Sequence, residues 1–285
     1  MPESMFGSGL SALQFKNFTE LIWQESGIRV PEDEKDMLVS RLVKRMLALK
    51  LDTFDAYYTH LHREPSEKIY LIDSVSTNMT GFFREPKHFG FLKGDFLNAI
   101  RQRRSGTGSR KISIWSVASS TGEEPYSIAI SVLEGLGSEA GWELSVLASD
   151  ISTSALGRLE TATYDEIAMK GVPEALKKKY FVPAGSVGGR AQHRVVESVR
   201  KRILGRRINL HDKSWPVSPG FDAIFCRNVL IYFDNSAQKE LVCRLCGYVA
   251  MGGYLVLASP ESIMGKKCGL ELVTPGIFKK VGTCF

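Results

Sequence analysis

From Lys111 onward the chain alternates strand and helix signals, and this rhythm restricts its fold more than any other feature. Ile112-Ser-Ile-Trp-Ser-Val117 reads as a strand and Glu123 to Leu136 as a helix. Leu144-Ser-Val-Leu-Ala148 is a second strand, with a helix from about Thr153. Phe221-Asp-Ala-Ile-Phe-Cys226 is a buried strand, Ala237 to Val249 an amphipathic helix, and Gly253-Tyr-Leu-Val-Leu-Ala258 a strand again. Such a succession selects an α/β fold with a doubly wound, mostly parallel sheet, because each helix must carry the chain back across the sheet face. Leu270 to Val273 and Ile277 to Val281, around Pro275-Gly276, predict a hairpin at the sheet edge. Between Tyr180 and Leu210 the rhythm breaks. Gly185, Gly188 and Gly189 punctuate a loop, and two β-prone stretches follow, Arg194 to Val199 and Arg206 to Leu210. A small antiparallel β insertion is expected at about 182–208.

The segment before this rhythm is helical. Phe15, Phe18, Leu21 and Ile22 recur at helical spacing up to Gly27, and Pro31-Glu-Asp-Glu-Lys resembles an acidic helix start. Leu38, Leu42, Met46 and Leu49 form one stripe of the next helix, while Arg41, Lys44, Arg45 and Ala48 lie on another face. Phe54, Tyr57, Tyr58 and Leu61 continue the pattern, followed by a connecting helix from Ser66 to Thr77. The expected organisation is a small all-α N-terminal domain with its linker over 1–76, then a larger domain over 77–285.

At 285 residues, with 44% apolar and 24% charged residues, the chain has the composition of a soluble globular protein. No apolar run approaches the roughly 18 residues of a membrane span, and Met1 to Leu10 lacks the pattern of a signal peptide. A cytoplasmic protein without membrane insertion is expected. Five scattered cysteines fit a reducing compartment better than a disulfide framework, and Cys243 and Cys246 read as buried helix cysteines with no second pair to complete a zinc site. The net charge of +6 divides into −3 over residues 1–75 and +9 over the rest. The basic blocks are short and not interleaved with aromatics, so they read as solvated surface, and no nucleic-acid partner is expected.

In an open α/β sheet, ligands bind beyond the carboxyl ends of the strands. The first strand here runs into Ala118-Ser-Ser-Thr-Gly-Glu-Glu-Pro-Tyr126. Its small residues and Gly122 let the backbone approach a ligand, and a helix N-terminus follows. A pyrophosphate would require G-x-G-x-x-G; this loop has one glycine and two carboxylates, Glu123 and Glu124, which repel phosphate and attract a cation. Asp150 ends the second strand, where an acid accepts hydrogen bonds from ribose hydroxyls. Singly, these acids are equally well explained as a favourable first helical turn and an N-cap. Together they favour a cationic nucleoside without phosphates.

Trp115-Ser-Val-Ala-Ser-Ser-Thr-Gly-Glu-Glu-Pro-Tyr-Ser-Ile-Ala129 resembles the cofactor loop of the CheR family, the chemotaxis receptor methyltransferases. Thr77-Asn-Met-Thr-Gly-Phe-Phe-Arg-Glu85, Ala148-Ser-Asp-Ile-Ser152 and Phe221-Asp-Ala-Ile-Phe-Cys-Arg-Asn-Val-Leu-Ile-Tyr-Phe233 resemble three further family segments, in order. The resemblance spans essentially the whole chain. It implies the S-adenosylmethionine-dependent methyltransferase fold and esterification of glutamate side chains on chemoreceptors. By position, the implied cofactor contacts are Asn78, Thr80, Arg84, Glu124, Asp150, Asn209, Leu210, Arg227 and Asn228. Arg84 and Tyr232 are the implied catalytic positions, facing the acceptor glutamate, and no metal is implied. The implied partner is the receptor's cytoplasmic helical bundle, met through the basic face at Arg41, Lys44 and Arg45. A receptor C-terminal peptide is a further implied partner, added as a strand to the β insertion.

The chemistry suits these residues. A glutamate is ionised by roughly 500 to 1 at pH 7 and is already a nucleophile, so the reaction requires no general base. Alignment is the main task, and proximity supplies up to about 7–11 kcal/mol. An arginine fork and a tyrosine hydroxyl can orient a carboxylate. One departure stands out: where the family has a Gly-His-Ser-Glu type sequence, this chain has Ala258-Ser-Pro-Glu-Ser262, and Pro260 lacks a backbone donor. Two other readings stay open, methylation of a different substrate and a non-catalytic cofactor-binding signalling module.

Overall fold

A computed structural model describes residues 9–258 and 268–283; the Ser-Pro-Glu departure at 259–261 lies outside them. The chain divides into two compact units, Met1–Thr77 with Ile151–Thr153 and Asn209–Trp215, and Asn78–Asp150 with Ser154–Ile208 and Pro216–Phe285.

The first unit is built on α1 (Ala12–Ser26), α2 (Lys35–Leu49), α3 (Phe54–Arg63) and α4 (Glu67–Val75). Ser11 and Gln14 cap the start of α1 reciprocally, and Gly27 ends it at φ 71°, a left-handed conformation that suits glycine. Thr53 caps α3 by accepting from the Ala56 amide. The stripe Leu38, Leu42 and Met46 is fully buried with Phe18, Ile22, Tyr57 and Leu61. One charge lies inside this core. Glu67 accepts two hydrogen bonds of 2.6 Å from Arg45 and one of 3.2 Å from the Tyr57 hydroxyl. Arg45 also stacks 3.9 Å from the Tyr70 ring centroid. The basic face read from the sequence is thereby reduced, because Arg45 is committed to holding α4.

The second unit opens with α5 (Pro86–Phe91), a π turn (Leu92–Phe96) and α6 (Leu97–Arg104). The alternating elements follow as β1 (Lys111–Val117), α7 (Glu123–Leu136), β2 (Glu143–Asp150), α8 (Thr153–Thr161) and β3 (Thr163–Asp165). Next come α9 (Glu174–Tyr180), β4 (Phe181–Val187), β5 (Arg190–Val195), α10 (Glu197–Arg200), β6 (Ile203–Arg207) and β7 (Phe221–Cys226). The described elements end with α11 (Asn235–Tyr248), β8 (Val249–Leu257), β9 (Leu270–Thr274) and β10 (Ile277–Lys280).

The seven-stranded sheet has the order β6-β2-β1-β7-β8-β10-β9. Its first five strands pair in parallel, and β10 pairs antiparallel with β8 and β9. This is the expected doubly wound sheet with its closing hairpin. The central strands are buried on both faces, as parallel strands covered by helices must be. A separate three-stranded antiparallel sheet has the order β3-β5-β4. Its strands lie at 163–165, 181–187 and 190–195, while Ile203–Arg207 joins the large sheet as the parallel partner of β2.

One cysteine reading is corrected. Cys243 of α11 is bonded to Cys268, with the Cα atoms 5.3 Å apart. It is therefore a disulfide partner, not a buried helix thiol. Cys246 is a buried free thiol, and its Sγ lies 2.9 Å from the Cys268 carbonyl oxygen.

Candidate active site

Strand order reverses at β1: the chain moves outward to β2 and β6 on one side and to β7 and β8 on the other. Ligands of such sheets bind at the carboxyl ends of the strands flanking this switch point. Those ends carry Ala118 to Gly122 after β1, Asp150 closing β2, and Arg227 and Asn228 after β7.

The β1 loop is held tightly. The Ser119 amide donates to the Ser149 carbonyl at 2.8 Å, and the Ser120 amide to Asp150 Oδ2 at 2.7 Å. Asp150 is thus aimed by the loop that would face a ligand. Ser120 Oγ donates to Asn78 Oδ1 at 3.4 Å, tying the segment before α5 to the same edge. Gly122 adopts φ +102°, and a Cβ there would stand 2.7 Å from the Tyr164 hydroxyl oxygen. That hydroxyl donates to the Thr121 carbonyl at 2.8 Å, so the tyrosine that excludes a side chain also fixes the loop.

The two glutamates of the loop do not point outward as a pair. Glu123 is buried and accepts from Thr121 Oγ1 at 2.6 Å. Glu124 accepts from Ser116 Oγ at 2.8 Å and from Arg227 Nη1 at 2.9 Å. Burial raises the Glu124 pKa; the Arg227 charge and the Ser116 bond pull it the other way. Arg227 is itself almost completely buried and bridges two acids, donating from Nη2 to Glu85 Oε1 at 3.0 Å and to the Arg84 carbonyl at 2.5 Å. Two carboxylates around one guanidinium leave a net charge of −1. A cationic ligand is favoured there and a phosphate disfavoured.

Glu85 therefore pairs with Arg227, not with its neighbour Arg84. The Arg84 side chain is exposed, and Nη1 lies 3.4 Å from the Met79 carbonyl oxygen. The Phe83 amide donates to Ser127 Oγ at 3.0 Å, and Ser127 donates to the Glu123 carbonyl at 2.6 Å, so α7 anchors this segment. Tyr232 ends a 3₁₀ turn, Leu230–Tyr232, that Gln238 pins by donating to the carbonyls of Leu230 and Phe233, each at 2.9 Å.

Seven non-glycine residues among those described have positive φ, and five lie in these loops: Phe83, Glu85, Ala118, Ser120 and Asn228. Each such conformation costs on the order of 1–3 kcal/mol and persists where the surroundings over-determine it. Concentration at one strand edge marks a functional site.

Among the sequence-derived positions, Asn78, Thr80, Arg84, Glu124, Asp150, Arg227, Asn228 and Tyr232 all belong to the sheet-bearing unit. Asn209 and Leu210 belong to the helical unit, where Asn209 Nδ2 donates to the Glu25 carbonyl at 2.8 Å and Asn209 Oδ1 accepts from the His211 amide. Sequence reasoning missed Ser116, Glu85 and His88. His88 is buried beside the Glu85–Arg227 pair, with Nε2 4.0 Å from Glu85 Oε2. Burial first, then the charge of Arg227, push its pKa down to about 4, with Glu85 opposing. Its presence in the T-N-x-T-x-F-F-R segment's downstream helix was the available signal.

The arrangement suits a cationic ligand without phosphates: an acidic cluster around Arg227 and a small-residue loop that Tyr164 packs against and fixes. Comparison with known proteins agrees. Residues 78–275 match the family model "CheR methyltransferase, SAM binding domain", and residues 13–76 match "CheR methyltransferase, all-alpha domain". The chain is 38% identical over 251 residues to chemotaxis protein methyltransferase 2 of Pseudomonas aeruginosa, covering 88% of this chain and 86% of that one. It is 33% identical to the chemotaxis protein methyltransferase of Borreliella burgdorferi, over 94% of each chain. With the enzyme of Escherichia coli the identity is 35%, over 89% of this chain and 85% of that one. A switch-point loop built for a phosphate-free cation, preceded by its own helical unit, thus has its counterpart in named enzymes, and the chain belongs to the CheR family of S-adenosylmethionine-dependent chemotaxis methyltransferases.

Proposed function

We propose that the chain esterifies glutamate side chains of chemoreceptors, with Arg84 gripping the acceptor carboxylate and Tyr232 fixing its remaining oxygen. The observation that carries this reading is the division of labour between neighbouring arginines. Arg227 is buried and committed to Glu85 and Glu124, while the Arg84 guanidinium is exposed on the adjoining segment. An exposed fork beside a net negative cluster suits an anionic acceptor brought to a cationic donor. Bound S-adenosylmethionine supplies the electrophilic methyl group and leaves as a neutral thioether. Asp150 and Asn78 would hold its nucleoside, with Thr80, Arg84, Asn209, Leu210 and Asn228 as further contacts, and Glu124 would act through the charge it shares with Arg227.

Residues 1–76 would serve as the receptor-docking domain and 77–285 as the methyltransferase domain, working in the cytoplasm against the receptor's helical bundle. The small sheet offers a second contact. Its outer strand β4 carries exposed Val182 and Val187, so a receptor C-terminal peptide could pair along it.

The test is methyl transfer to receptor-containing membranes by Arg84→Ala, Arg84→Lys and Tyr232→Phe, with cofactor affinity measured separately. Losing a charged hydrogen bond to the acceptor lowers kcat/KM by about 10- to 100-fold; Tyr232→Phe should leave cofactor affinity unchanged, whereas the Arg84 variants should weaken it as well. Unchanged transfer by Arg84→Ala contradicts the acceptor role.

A further inference from the structure

We infer that Cys243 and Cys268 form a redox-modification site, opened and closed by glutathione, that adjusts methyl transfer through the two elements it joins. This rests on the reading above that the chain works in the cytoplasm on receptor glutamates.

Disulfides that serve stability alone belong to oxidising compartments, whereas those formed in a reducing one are transient or redox-sensing. Cys243 lies within α11 and is half-buried, while Cys268, just before β9, is only 2% exposed. An incoming thiolate therefore meets the Cys243 sulfur first.

The exchange balances with glutathione alone. One glutathione thiolate attacks Cys243 Sγ, the bond to Cys268 breaks, and Cys268 leaves as the thiolate. A second glutathione thiolate then attacks the glutathione sulfur of that mixed disulfide and releases Cys243. The protein disulfide is reduced by two electrons, the two thiol protons end on Cys243 and Cys268, and glutathione disulfide departs. The reverse sequence, starting from glutathione disulfide, closes the bond.

The surroundings keep the opened pair together. Cys246, one turn after Cys243, donates from Sγ to the Cys268 carbonyl at 2.9 Å. The Gly269 carbonyl accepts from the Val281 and Gly282 amides at 2.9 and 3.1 Å. Lys280 donates to the Cys246 and Val249 carbonyls, each at 2.8 Å, so β10 stays docked on the end of α11. Closure is then an intramolecular step that requires no refolding.

Both joined elements reach the site. Helix α11 carries Gln238, which pins the turn ending in Tyr232. The β9–β10 hairpin carries Gly276, where a Cβ would stand 2.9 Å from His88 Nε2. The hairpin turn thus packs on His88, which lies beside the Glu85–Arg227 pair. The closed bond fixes these two supports against each other, and the open bond lets each shift on its own. Small misplacements at reacting atoms slow a reaction steeply, so the closed form is the more active.

The experiment equilibrates the full chain in glutathione buffers spanning the cytosolic poise, traps thiols with an alkylating reagent, and maps the bonds by mass spectrometry. Methyl transfer to receptor-containing membranes is measured on the same samples. Cys243 and Cys268 should open and close together across these buffers, with Cys246 outside the bond throughout. The open form should show a kcat/KM for receptor about fivefold below that of the closed form, and reoxidation should restore it. Cys243→Ser and Cys268→Ser should each match the open form and be indifferent to glutathione; the recovery of the wild-type chain separates this from misfolding. A bond that stays closed in every buffer, a bond that re-forms to Cys246, or equal transfer by both forms overturns the inference. Failure of both forms to label receptor overturns the proposed function instead, and the trapping result then decides the redox site by itself.

Discussion

Arg227→Met removes the charge on which the site's electrostatics turn while keeping most of the side-chain volume. The arginine is almost fully buried, satisfies Glu124 and Glu85 at 2.9 and 3.0 Å, and lies 5.7 Å from the Phe89 ring centroid. Its loss strands Glu124, whose pKa burial already raises and whose chief compensation is the Arg227 charge. Breaking one side of a buried pair costs about 3–5 kcal/mol, a large part of the roughly 5–15 kcal/mol that stabilises a domain. The double variant Arg227→Met/Glu124→Gln removes the more deeply buried charge, leaves only the half-buried Glu85 without that partner, and should recover about 2 kcal/mol of that loss, a coupling of the size seen between contacting groups. The sign with pH follows from the direction of the shift. A carboxyl whose folded pKa is raised is protonated at no cost at low pH, and its penalty grows as pH rises through that pKa. Urea denaturation at pH 5.5 and 7.5 should therefore show a smaller deficit for Arg227→Met at the lower pH. A loss under 1 kcal/mol, or no recovery on adding Glu124→Gln, would refute the reasoning.

Further outcomes concern the scaffold. Asp222 is completely buried at the start of β7 and accepts from Arg103, from Arg104 at 3.0 Å and from the Ser113 amide at 2.9 Å. Asp222→Ala should cost about 3–5 kcal/mol in urea denaturation, since it frees α6 from the sheet. His88, with its pKa lowered to about 4, contributes stability that is full above its unfolded value near 6.5 and is lost as pH falls toward 4. His88→Gln should therefore flatten the stability profile between those values by about 3 kcal/mol. The Cys243–Cys268 bond closes a 25-residue separation, so its reduction should remove about 3 kcal/mol and lower Tm; Cys243→Ser should be insensitive to reductant.

The parallel sheet was legible because its central strands are mostly apolar stretches, each followed by a helix with its own period, as in Phe221 to Cys226, apolar but for Asp222, and Ala237 onward. Two elements were not. The helical run from Pro86 to Arg104 carries Gly90 and Gly94 and passes through a π turn, so its apolar residues fall out of a 3.6-residue period. Strand β6 carries Arg206 and Arg207 and reads like the β insertion before it; what makes it part of the large sheet is pairing with β2, more than fifty residues earlier. The site was legible to the level of residue types and strand ends. Which acid faces which partner was not, since Glu124 meets Arg227 103 residues away and spacing carries no orientation. The disulfide was missed for a related reason: Cys243 read as a buried helix cysteine, and its partner Cys268 lies 25 residues on, beyond β8.

The most direct test of the central claim is the chemical nature of the transferred methyl group. The full chain is incubated with methyl-labelled S-adenosylmethionine and receptor-containing membranes, and the receptor is treated with mild alkali. The account predicts label on receptor that alkali releases as methanol, mapped by mass spectrometry to glutamate side chains and lost with Arg84→Ala. Alkali-stable label, label on nucleic acid, or cofactor binding with no transfer to receptor would contradict it.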